Sequence, residues 1–420
     1  MTGRSDKNGS EGGADGPVRR GVKFSQSAAR LRGEINTLYR ERDAILTRGW
    51  SITDLVSGNV NAHGLSFPQD ALHDILKRAY DAAQTYKPDP LGQREAREAI
   101  RSAYRESGFN VSADHILLTP GTSVSYAYAF RLFANAGDEI LCPRPSYPLF
   151  DPIAEFAGVR VSTYRLDEGR GWAIDLEHLE AQISARTRAV VLISPHNPTG
   201  MIADVDQVGA LSEIVRRHHL PVISDEVFSP FIDDDFLPRI ARTAAPLVLT
   251  LNGFSKMFAL PGMKIGWIAV TGDRDLVRTA MASLETMSDM FLPVGEIAQF
   301  AVAGIFRRGK TFLADYVSEM RRRREAAVAA LAASPHLQVV PPRGGFYVTA
   351  RIVGDGREDE EEIALDLLRR YGILVHPGFY YDIEPPHLVM TFVPPIETFK
   401  ESLDRVTYFL SEKFKGTIGG

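Results

Sequence analysis

Two lysines flank a turn of small residues in the segment NGFSKMFALPGMKIGW, residues 252–267. Lys256 follows a serine in a loop, and Lys264 opens an apolar, strand-like run. Removing an amine from water is costly, so a lysine in a partly closed pocket has a lowered pKa and becomes a nucleophile for carbonyl groups. The segment is therefore a candidate carbonyl-reactive site, with Lys256 as its nucleophile.

Three other segments place small or polar residues directly after predicted strands. GTS (121–123) opens a helix, where backbone N–H groups and a hydroxyl can approach a phosphate, although it fits an ordinary strand-to-helix turn equally well. PSYP (145–148) puts Tyr147 in a turn, where the ring either stacks on a planar ligand or packs on the surface. SPHNPTG (194–200) fixes Asn197, a donor and an acceptor, on a rigid loop.

A carboxylate completes this set of side chains. Asp225 lies at the end of PVISDE (221–226), where an apolar strand would desolvate it unless it meets a cation. A phosphate cradle, a stacking aromatic, an amide, a carboxylate and a reactive lysine are together what pyridoxal 5'-phosphate needs. The lysine bonds its aldehyde, and the carboxylate keeps its ring nitrogen protonated. We predict this cofactor and no metal.

The elements that position these residues alternate along the chain. From about residue 70 to 270, apolar strands alternate with amphipathic helices, which predicts a parallel sheet covered on both faces. After residue 270 the pattern predicts a second, α+β domain. We predict a disordered tail at 1–22, a large cofactor-binding domain at 61–289, and a small domain with an N-terminal arm at 23–60 and 290–420.

Composition limits the function classes. The chain has 420 residues, 44% of them hydrophobic, and a net charge of -5, which argues against a nucleic-acid binder. It has no apolar run of about 18 residues and no secretion signal, so we expect a cytoplasmic protein without a membrane span. The lone Cys142 is predicted to be a buried small hydrophobe. The run RRRRE (321–325) predicts a solvated helix face.

The motifs in their order resemble the class I/II aminotransferases of fold type I. The resemblance runs from about residue 50 to the C-terminus and rests on Tyr86, Gly92, Arg97, PGTS, PSYP, SPHNPTG, SDEV and GFSK…PGMKIGW. It implies an α/β fold in which a large domain has a mixed, mostly parallel sheet beside a smaller α+β domain. It also implies pyridoxal phosphate and a homodimer with shared active sites.

The resemblance assigns a role to each matching residue. Lys256 resembles the lysine that bonds the cofactor aldehyde, Asp225 the partner of the ring nitrogen, and Asn197 the residue bonding the ring hydroxyl and contacting substrate. Tyr147 matches the stacking aromatic. The residues that match the phosphate cradle are Gly121, Thr122, Ser123, Ser255 and Lys264, the last where most of the family has arginine.

Two further matches concern the substrate and the neighbouring subunit. Gly58 resembles the glycine whose backbone lies over the substrate. Tyr86 resembles the tyrosine that reaches the phosphate of the neighbouring subunit. These matches predict that part of each active site comes from a second copy of the chain.

Two positions depart from the family pattern. Phe228 stands where the family usually has a tyrosine that bonds the cofactor's ring oxygen, and Val389 where it has the arginine that binds the substrate carboxylate. Either another cation has taken over or the substrate presents no free carboxylate there. Arg343, just before the glycines of a predicted strand, is our first candidate for that cation, and Arg144 is the second.

Three functions follow from these features. The first is amino-group transfer between an amino acid or related amine and a keto acid. The second keeps the cofactor but ends in β- or γ-elimination, replacement, cyclisation or oxidation, which the two departures favour. The third, a ligand-sensing domain of a transcription regulator, needs a DNA-binding helix pair, for which residues 1–22 are too short and too polar.

Overall fold

A computed structural model describes residues 22–25, 27–28, 31, 36–145, 148–233, 236–354 and 359–414. The predicted tail, apart from Val22, and Tyr147 lie outside the described residues. In the part of the chain that is described, no helix is both long and apolar enough to cross a membrane.

Short strands alternate with helices through the middle of the chain, as the apolar runs predict. The strands in chain order are β1 (Thr53–Asp54), β2 (Ile116–Thr119), β3 (Glu139–Arg144), β4 (Arg160–Asp167), β5 (Ala173–Ile174), β6 (Thr187–Ile193), β7 (Val222–Asp225), β8 (Leu247–Gly253), β9 (Gly266–Gly272), β10 (Leu337–Val339), β11 (Tyr347–Ile352), β12 (Ile373–Leu374), β13 (His376–Pro377) and β14 (His387–Thr391).

Side-chain caps fix several helix starts. Asp204 and Gln207 form a capping box at one helix, and the Asp273 carboxylate accepts from two backbone N–H groups at another. The α-helices of the described residues are Thr37–Thr47, Gln69–Ala82, Arg94–Glu106, Thr122–Phe133, Phe150–Ala157, Leu176–Ala181, Val205–Arg217, Phe254–Met257, Arg274–Asp289, Glu296–Arg308, Lys310–Ala332, Glu360–Tyr371 and Ile396–Phe414.

The strands of the described residues form three sheets, of eight, four and two strands, and the smallest pairs β1 with β12 in parallel. The eight-stranded sheet has the order β2-β9-β8-β7-β6-β3-β4-β5, with a parallel centre from β8 to β4 and antiparallel pairs at β2–β9, β8–β9 and β4–β5. The four-stranded sheet, β10-β11-β14-β13, is antiparallel. The predicted α/β class, with a mixed, mostly parallel sheet and a smaller α+β part, is confirmed.

Helices cover both faces of the large sheet. Helix Thr122–Phe133 packs on one face and helix Val205–Arg217 on the other. Helix Glu296–Arg308 packs in a cluster with β2 and β9, on the side of the large sheet, so the boundary predicted at residue 290 stays a prediction. Cys142 is fully buried in β3, as predicted.

The arginine run at 321–325 is only partly solvated, so the predicted solvated face is wrong for two of its residues. Arg323 and Arg324 are 7% and 4% exposed. Arg323 donates to Glu319 at 2.8 Å and to the Val393 carbonyl, while Arg324 pairs with Asp233. Their helix lies between two segments distant in sequence, and the guanidinium groups satisfy polar atoms there.

Candidate active site

A cavity of about 130 Å³ lies at the edge of the large sheet where β2, β6, β7 and β8 end. These strands run in the same direction, so the loops that follow them meet there, as expected for ligand sites in open α/β sheets. The residues lining it are Gly121, Thr122, Ile193, Asn197, Asp225, Val227, Phe228, Gly253, Ser255, Lys256, Ile265 and Tyr347.

Lys256 lies in a short helix, Phe254–Met257, that follows β8 directly. Burial lowers the pKa of its amine, and it forms no ion pair with any described residue. Its Nζ lies 5.8 Å from the ring centres of both Phe228 and Phe346. An amine held among apolar rings is more readily neutral, which is the form that attacks a carbonyl carbon.

Asp225 ends β7 and has hydrogen-bond donors but no cation among the described residues. Its Oδ2 accepts from the Tyr126 hydroxyl at 2.7 Å, and its Oδ1 accepts from the Val227 N–H at 3.0 Å. Burial raises its pKa, and these two hydrogen bonds oppose that rise. A cationic ligand group beside this carboxylate would stabilise its charged form.

The sequence did not predict the contribution of Tyr126. This residue lies one helical turn after Thr122, in the helix that opens beside the cavity, and it is almost fully buried. Residues four apart share a helix face, so its spacing from Thr122 was the available signal. The Tyr126 hydroxyl fixes the orientation of the Asp225 carboxylate through this hydrogen bond.

Asn197 reaches the cavity from the loop after β6. Its Oδ1 is buried without a hydrogen-bond partner in the described structure, so a bound group could satisfy it. The loop is held by backbone hydrogen bonds between His196 and Met201 and between Gly200 and His196, both 2.8 Å long. His196 is buried, and burial lowers its pKa to about 3, so the loop rests on a neutral imidazole.

The other end of the cavity has the features of an anion cradle. Gly121, with φ of 130°, precedes helix Thr122–Phe133, so backbone N–H groups and the positive end of the helix dipole face the cavity. The Lys264 Nζ lies 4.0 Å from the point a Cβ would occupy at Gly121. Ser255 and Thr122 add hydroxyls, whereas Ser123 is exposed and does not line the cavity.

Gly58 lies beside the cavity, next to two of its lining residues. A Cβ added there would lie 3.0 Å from the Lys256 Nζ and 3.6 Å from the Tyr347 hydroxyl. A side chain at this position would crowd the amine, which would have to move by a few tenths of an ångström. Tyr347, which sequence reasoning missed, enters from β11 of the small sheet and flanks the same point.

The structure does not bring every predicted residue to this cavity. Tyr86 is 69% exposed and lines a separate cavity of about 630 Å³. Arg343 is exposed, with its Nη1 3.5 Å from the Ile202 carbonyl, and Arg144 is exposed near Asp382. Neither arginine lines this cavity, and a role for either in binding a substrate carboxylate stays a prediction.

The lining residues fit pyridoxal phosphate on grounds of this structure alone. Lys256 is a buried amine suited to an aldehyde, Asp225 is a buried carboxylate without a described cation, and Asn197 has an unsatisfied buried oxygen. The glycine-rich anion cradle with Lys264 lies at the same cavity. Each feature matches a different part of the cofactor: aldehyde, ring nitrogen, ring hydroxyl and phosphate.

Comparison with known proteins agrees with this chemistry. The family model "Aminotransferase class I and II" matches residues 52–406. Glutamate-pyruvate aminotransferase AlaA of Escherichia coli (strain K12) is 27% identical over 406 residues, covering 94% of this chain and 98% of the relative. Alanine aminotransferase of Mycobacterium tuberculosis (strain ATCC 25618 / H37Rv) is 29% identical over 403 residues, covering 92% of each chain.

Solved structures give the same result for the fold. An aminotransferase from Escherichia coli superimposes with a TM-score of 0.84 at 27% identity, covering 93% of this chain and 98% of that one. Alanine aminotransferase from Pyrococcus furiosus, at 24% identity, has a TM-score of 0.87 and covers 93% of this chain and 100% of that one, which shows the fold alone.

Proposed function

The chain belongs to the class I and II aminotransferase family, and we propose that it uses pyridoxal phosphate, bound at Lys256, to exchange an amino group between a small amine or amino acid and a carbonyl compound. A single observation carries the proposal: a buried amine, a buried carboxylate and an unsatisfied amide oxygen line one cavity of about 130 Å³. The relatives are aminotransferases and give no support to elimination, replacement, cyclisation or oxidation.

Each group of the cofactor has a residue suited to hold it. Lys256 would bond the aldehyde carbon, Asp225 would pair with the ring nitrogen, and Asn197 would hydrogen-bond the ring hydroxyl. The phosphate would lie against Gly121, Thr122, Ser255 and Lys264. When bound, the cofactor supplies an electron-accepting ring, conjugated with the carbon that carries the substrate's amino group.

Lys256 has a second task, which is to move a proton. The Lys256 Nζ, when it is not bonded to the cofactor, would be available in the same cavity as a base. Burial lowers the pKa of this amine and so favours its neutral form, which would take the proton from the amine-bearing carbon and return it elsewhere. Gly58 leaves room for this movement, since a Cβ there would lie 3.0 Å from the Nζ.

Asp225 and Phe228 would lie beside the ring of the bound cofactor, where one offers a carboxylate and the other no polar group. Tyr126 keeps the Asp225 carboxylate oriented through its 2.7 Å hydrogen bond, so the negative charge faces the cavity. Phe228 lines the cavity without offering a hydrogen bond, so Asn197 alone would serve the ring oxygen.

A homodimer with shared sites is the second part of the proposal. Tyr86, 69% exposed, lines the separate cavity of about 630 Å³, and so do Tyr80 and Ile297, which are 57% and 42% exposed. Large exposed apolar side chains around a concave surface are typical of a contact with a second protein. A C2 contact through this surface would carry Tyr86 of each subunit toward the other.

The test is to supply the purified protein with pyridoxal phosphate and a panel of amino acids and primary amines. Amino-group exchange should convert at least one of them to its carbonyl product, detected by mass spectrometry, and leave the cofactor as its amine. Lys256→Ala is the control and should form no product. Return of the cofactor unchanged beside an unsaturated or cyclised product would overturn amino-group exchange.

A further inference from the structure

A third cavity, of about 440 Å³, lies beside the short helix that carries Lys256. Ser255 and Lys256 line the cofactor cavity, whereas Met257 and Phe258 line this one, and no described residue lines both. The cavity is large enough for a small molecule, because such sites are typically about 300–1,000 Å³ in volume. We call it the Arg239 cavity, after the buried arginine that lines it.

The rings that line the Arg239 cavity suit an apolar, planar group. Tyr104, Phe258, Trp267 and Phe306 all line it. The ring centre of Trp267 lies 6.2 Å from those of Tyr104 and Phe306, with interplanar angles of 82° and 54°. Aromatic side chains bind a further ring through edge-to-face or offset contacts. Leu313, which is partly buried, adds an aliphatic side chain to the same lining, so the cavity favours an apolar body.

Arg239 offers hydrogen-bond donors inside this apolar lining. The residue is 8% exposed, and its Nε donates to the Glu226 Oε2 at 2.8 Å. Neither of its terminal nitrogens, Nη1 and Nη2, hydrogen-bonds a described residue, and neither is completely enclosed by protein. Buried donors are normally paired, because an unpaired donor costs free energy. The terminal N–H groups of Arg239 are therefore available to an acceptor in the cavity.

The charges around the Arg239 cavity cancel. Among the described residues that line it, Arg239, Lys310 and Glu106 are charged. Arg239 is paired with the buried Glu226, and the exposed Lys310 is paired with the exposed Glu106 at 2.8 Å. A carboxylate beside Arg239 would place a second negative charge on a pair that is already neutral, and would lose its own hydration. An uncharged oxygen acceptor gains the hydrogen bonds without adding charge.

We infer that the Arg239 cavity binds an uncharged small molecule that combines an apolar, planar body with a carbonyl-type oxygen. The oxygen accepts hydrogen bonds from the terminal nitrogens of Arg239, and the body packs against the aromatic rings and Leu313. The site is separate from the cofactor cavity, and binding there does not depend on the proposed amino-group exchange.

Hydrocinnamamide and hydrocinnamate are matched probes, because they have the same apolar body and differ in carrying an uncharged amide or a carboxylate. Calorimetry on protein supplied with pyridoxal phosphate, at about pH 7, would measure both dissociation constants. The amide should bind more tightly by about ten-fold, equal to about 1.4 kcal/mol. Equal or tighter binding of the carboxylate would overturn the inference.

Other occupants of the cavity would be revealed by the same measurement. If residues 1–21 or a second copy of the chain filled the Arg239 cavity, hydrocinnamamide would have no site to enter. Absence of binding by the amide therefore also overturns the inference. No substrate is turned over in this experiment, so its failure leaves the proposed amino-group exchange standing, and loss of that exchange leaves the binding result intact.

Two alanines on one helix locate the bound probe. Ala103 lines the Arg239 cavity, whereas Ala99, one turn earlier in the helix Arg94–Glu106, is equally half-buried and does not line it. Ala103→Leu fills part of the cavity and should weaken binding of hydrocinnamamide by about ten-fold or more. Ala99→Leu should leave the affinity unchanged, and the visible absorbance of the bound cofactor would show that both variants fold. Equal affinities in Ala103→Leu and the wild type would show that the probe binds elsewhere.

A conservative substitution tests the arginine itself. Arg239→Lys keeps a positive charge for Glu226 but lacks the planar pair of terminal nitrogens, so hydrocinnamamide should bind about ten-fold or more weakly. Arg242→Lys is the control, because Arg242 is exposed and does not line the cavity. An unchanged affinity in Arg239→Lys, or an equal loss in Arg242→Lys, would overturn the inference. If Arg239→Lys does not fold, the pair of alanine variants decides the result.

Discussion

The Tyr126 hydroxyl lies 2.7 Å from the Asp225 Oδ2 and donates a hydrogen bond to it inside the large domain. The bond links the helix beside the anion cradle to the carboxylate at the end of β7. It thus connects the end of the proposed cofactor site that would hold the phosphate with the end that would hold the ring nitrogen. Its loss would leave Asp225 with the Val227 N–H as its remaining described donor.

Tyr126→Phe should weaken binding of pyridoxal phosphate. Hydrogen bonds to charged groups contribute about 1.5–3 kcal/mol, so we expect the cofactor's dissociation constant to rise by about ten-fold or more. A fluorescence titration of the cofactor-free protein would measure it. Tyr164→Phe is the control, because that buried hydroxyl donates to the Val191 carbonyl at 2.8 Å, away from the cavity. An equal rise in both variants would contradict the special role of Tyr126.

Borohydride reduction should attach the cofactor to Lys256. Among the described residues, Lys256 is the one amine that lines the cavity, and burial lowers its pKa, whereas Lys264 lies beside Gly121 at the cradle end. Peptide mass spectrometry after reduction would find the adduct, which Lys256→Ala should abolish. An adduct on Lys264 in the wild-type protein would overturn the assignment.

Two inactive variants should restore activity when mixed, if the sites are shared. Lys256→Ala removes the reactive amine, and Tyr86→Phe removes a hydroxyl that we place in the neighbour's site. Mixed dimers would contain one site with both residues intact, so part of the activity should return after subunit exchange. Mass spectrometry of the intact dimers would confirm the exchange. Confirmed mixed dimers without activity would count against shared sites.

Phe228→Tyr should move the pH dependence of the bound cofactor's visible absorbance to lower pH. A phenol at this position would donate a hydrogen bond to the ring oxygen and favour its anionic form. Absorbance spectra between pH 5 and about 10 would show the change. Phe346→Tyr is the matched control, since that ring also lies 5.8 Å from the Lys256 Nζ but does not line the cavity. A midpoint that is unchanged or higher in Phe228→Tyr would contradict the prediction.

The buried His196 should make the protein less stable in acid. Burial lowers its pKa from 6.5 to about 3, so between these values the unfolded chain binds more protons than the folded one. Stability is therefore lost as the pH falls below 6.5. At pH 5 this effect amounts to about 2 kcal/mol.

Urea unfolding at pH 7 and 5 would test this effect. His196→Asn keeps a polar atom near Thr199 but cannot take up a proton, so the difference in unfolding free energy between the two pH values should shrink by about 2 kcal/mol. The exposed His73→Asn substitution is the control and should leave the difference unchanged. No reduction in His196→Asn would show that His196 does not cause the loss.

The sequence by itself determined where the strands end and which functional side chains lie at those ends. Apolar runs alternating with helices indicate a mostly parallel sheet, and the loops after parallel strands meet at one edge. Asp225 ends one strand, and Asn197 and Lys256 each follow another by a few residues, so their convergence needed no knowledge of side-chain packing. The same reasoning placed Gly121 at the cavity, whereas Ser255 was assigned through the family resemblance.

Tertiary structure alone decided the contacts that cross between elements. Nothing in the pattern of β11 showed that Tyr347 would flank the same point as Lys256, and Arg343, four residues earlier, is exposed outside the cavity. Likewise, the sequence pattern of the arginine run predicts a solvated helix face. The structure buries Arg324, because a distant segment that carries Asp233 packs against it. Local spacing fixes which face of an element a residue occupies, but the packing of distant elements decides what that face meets.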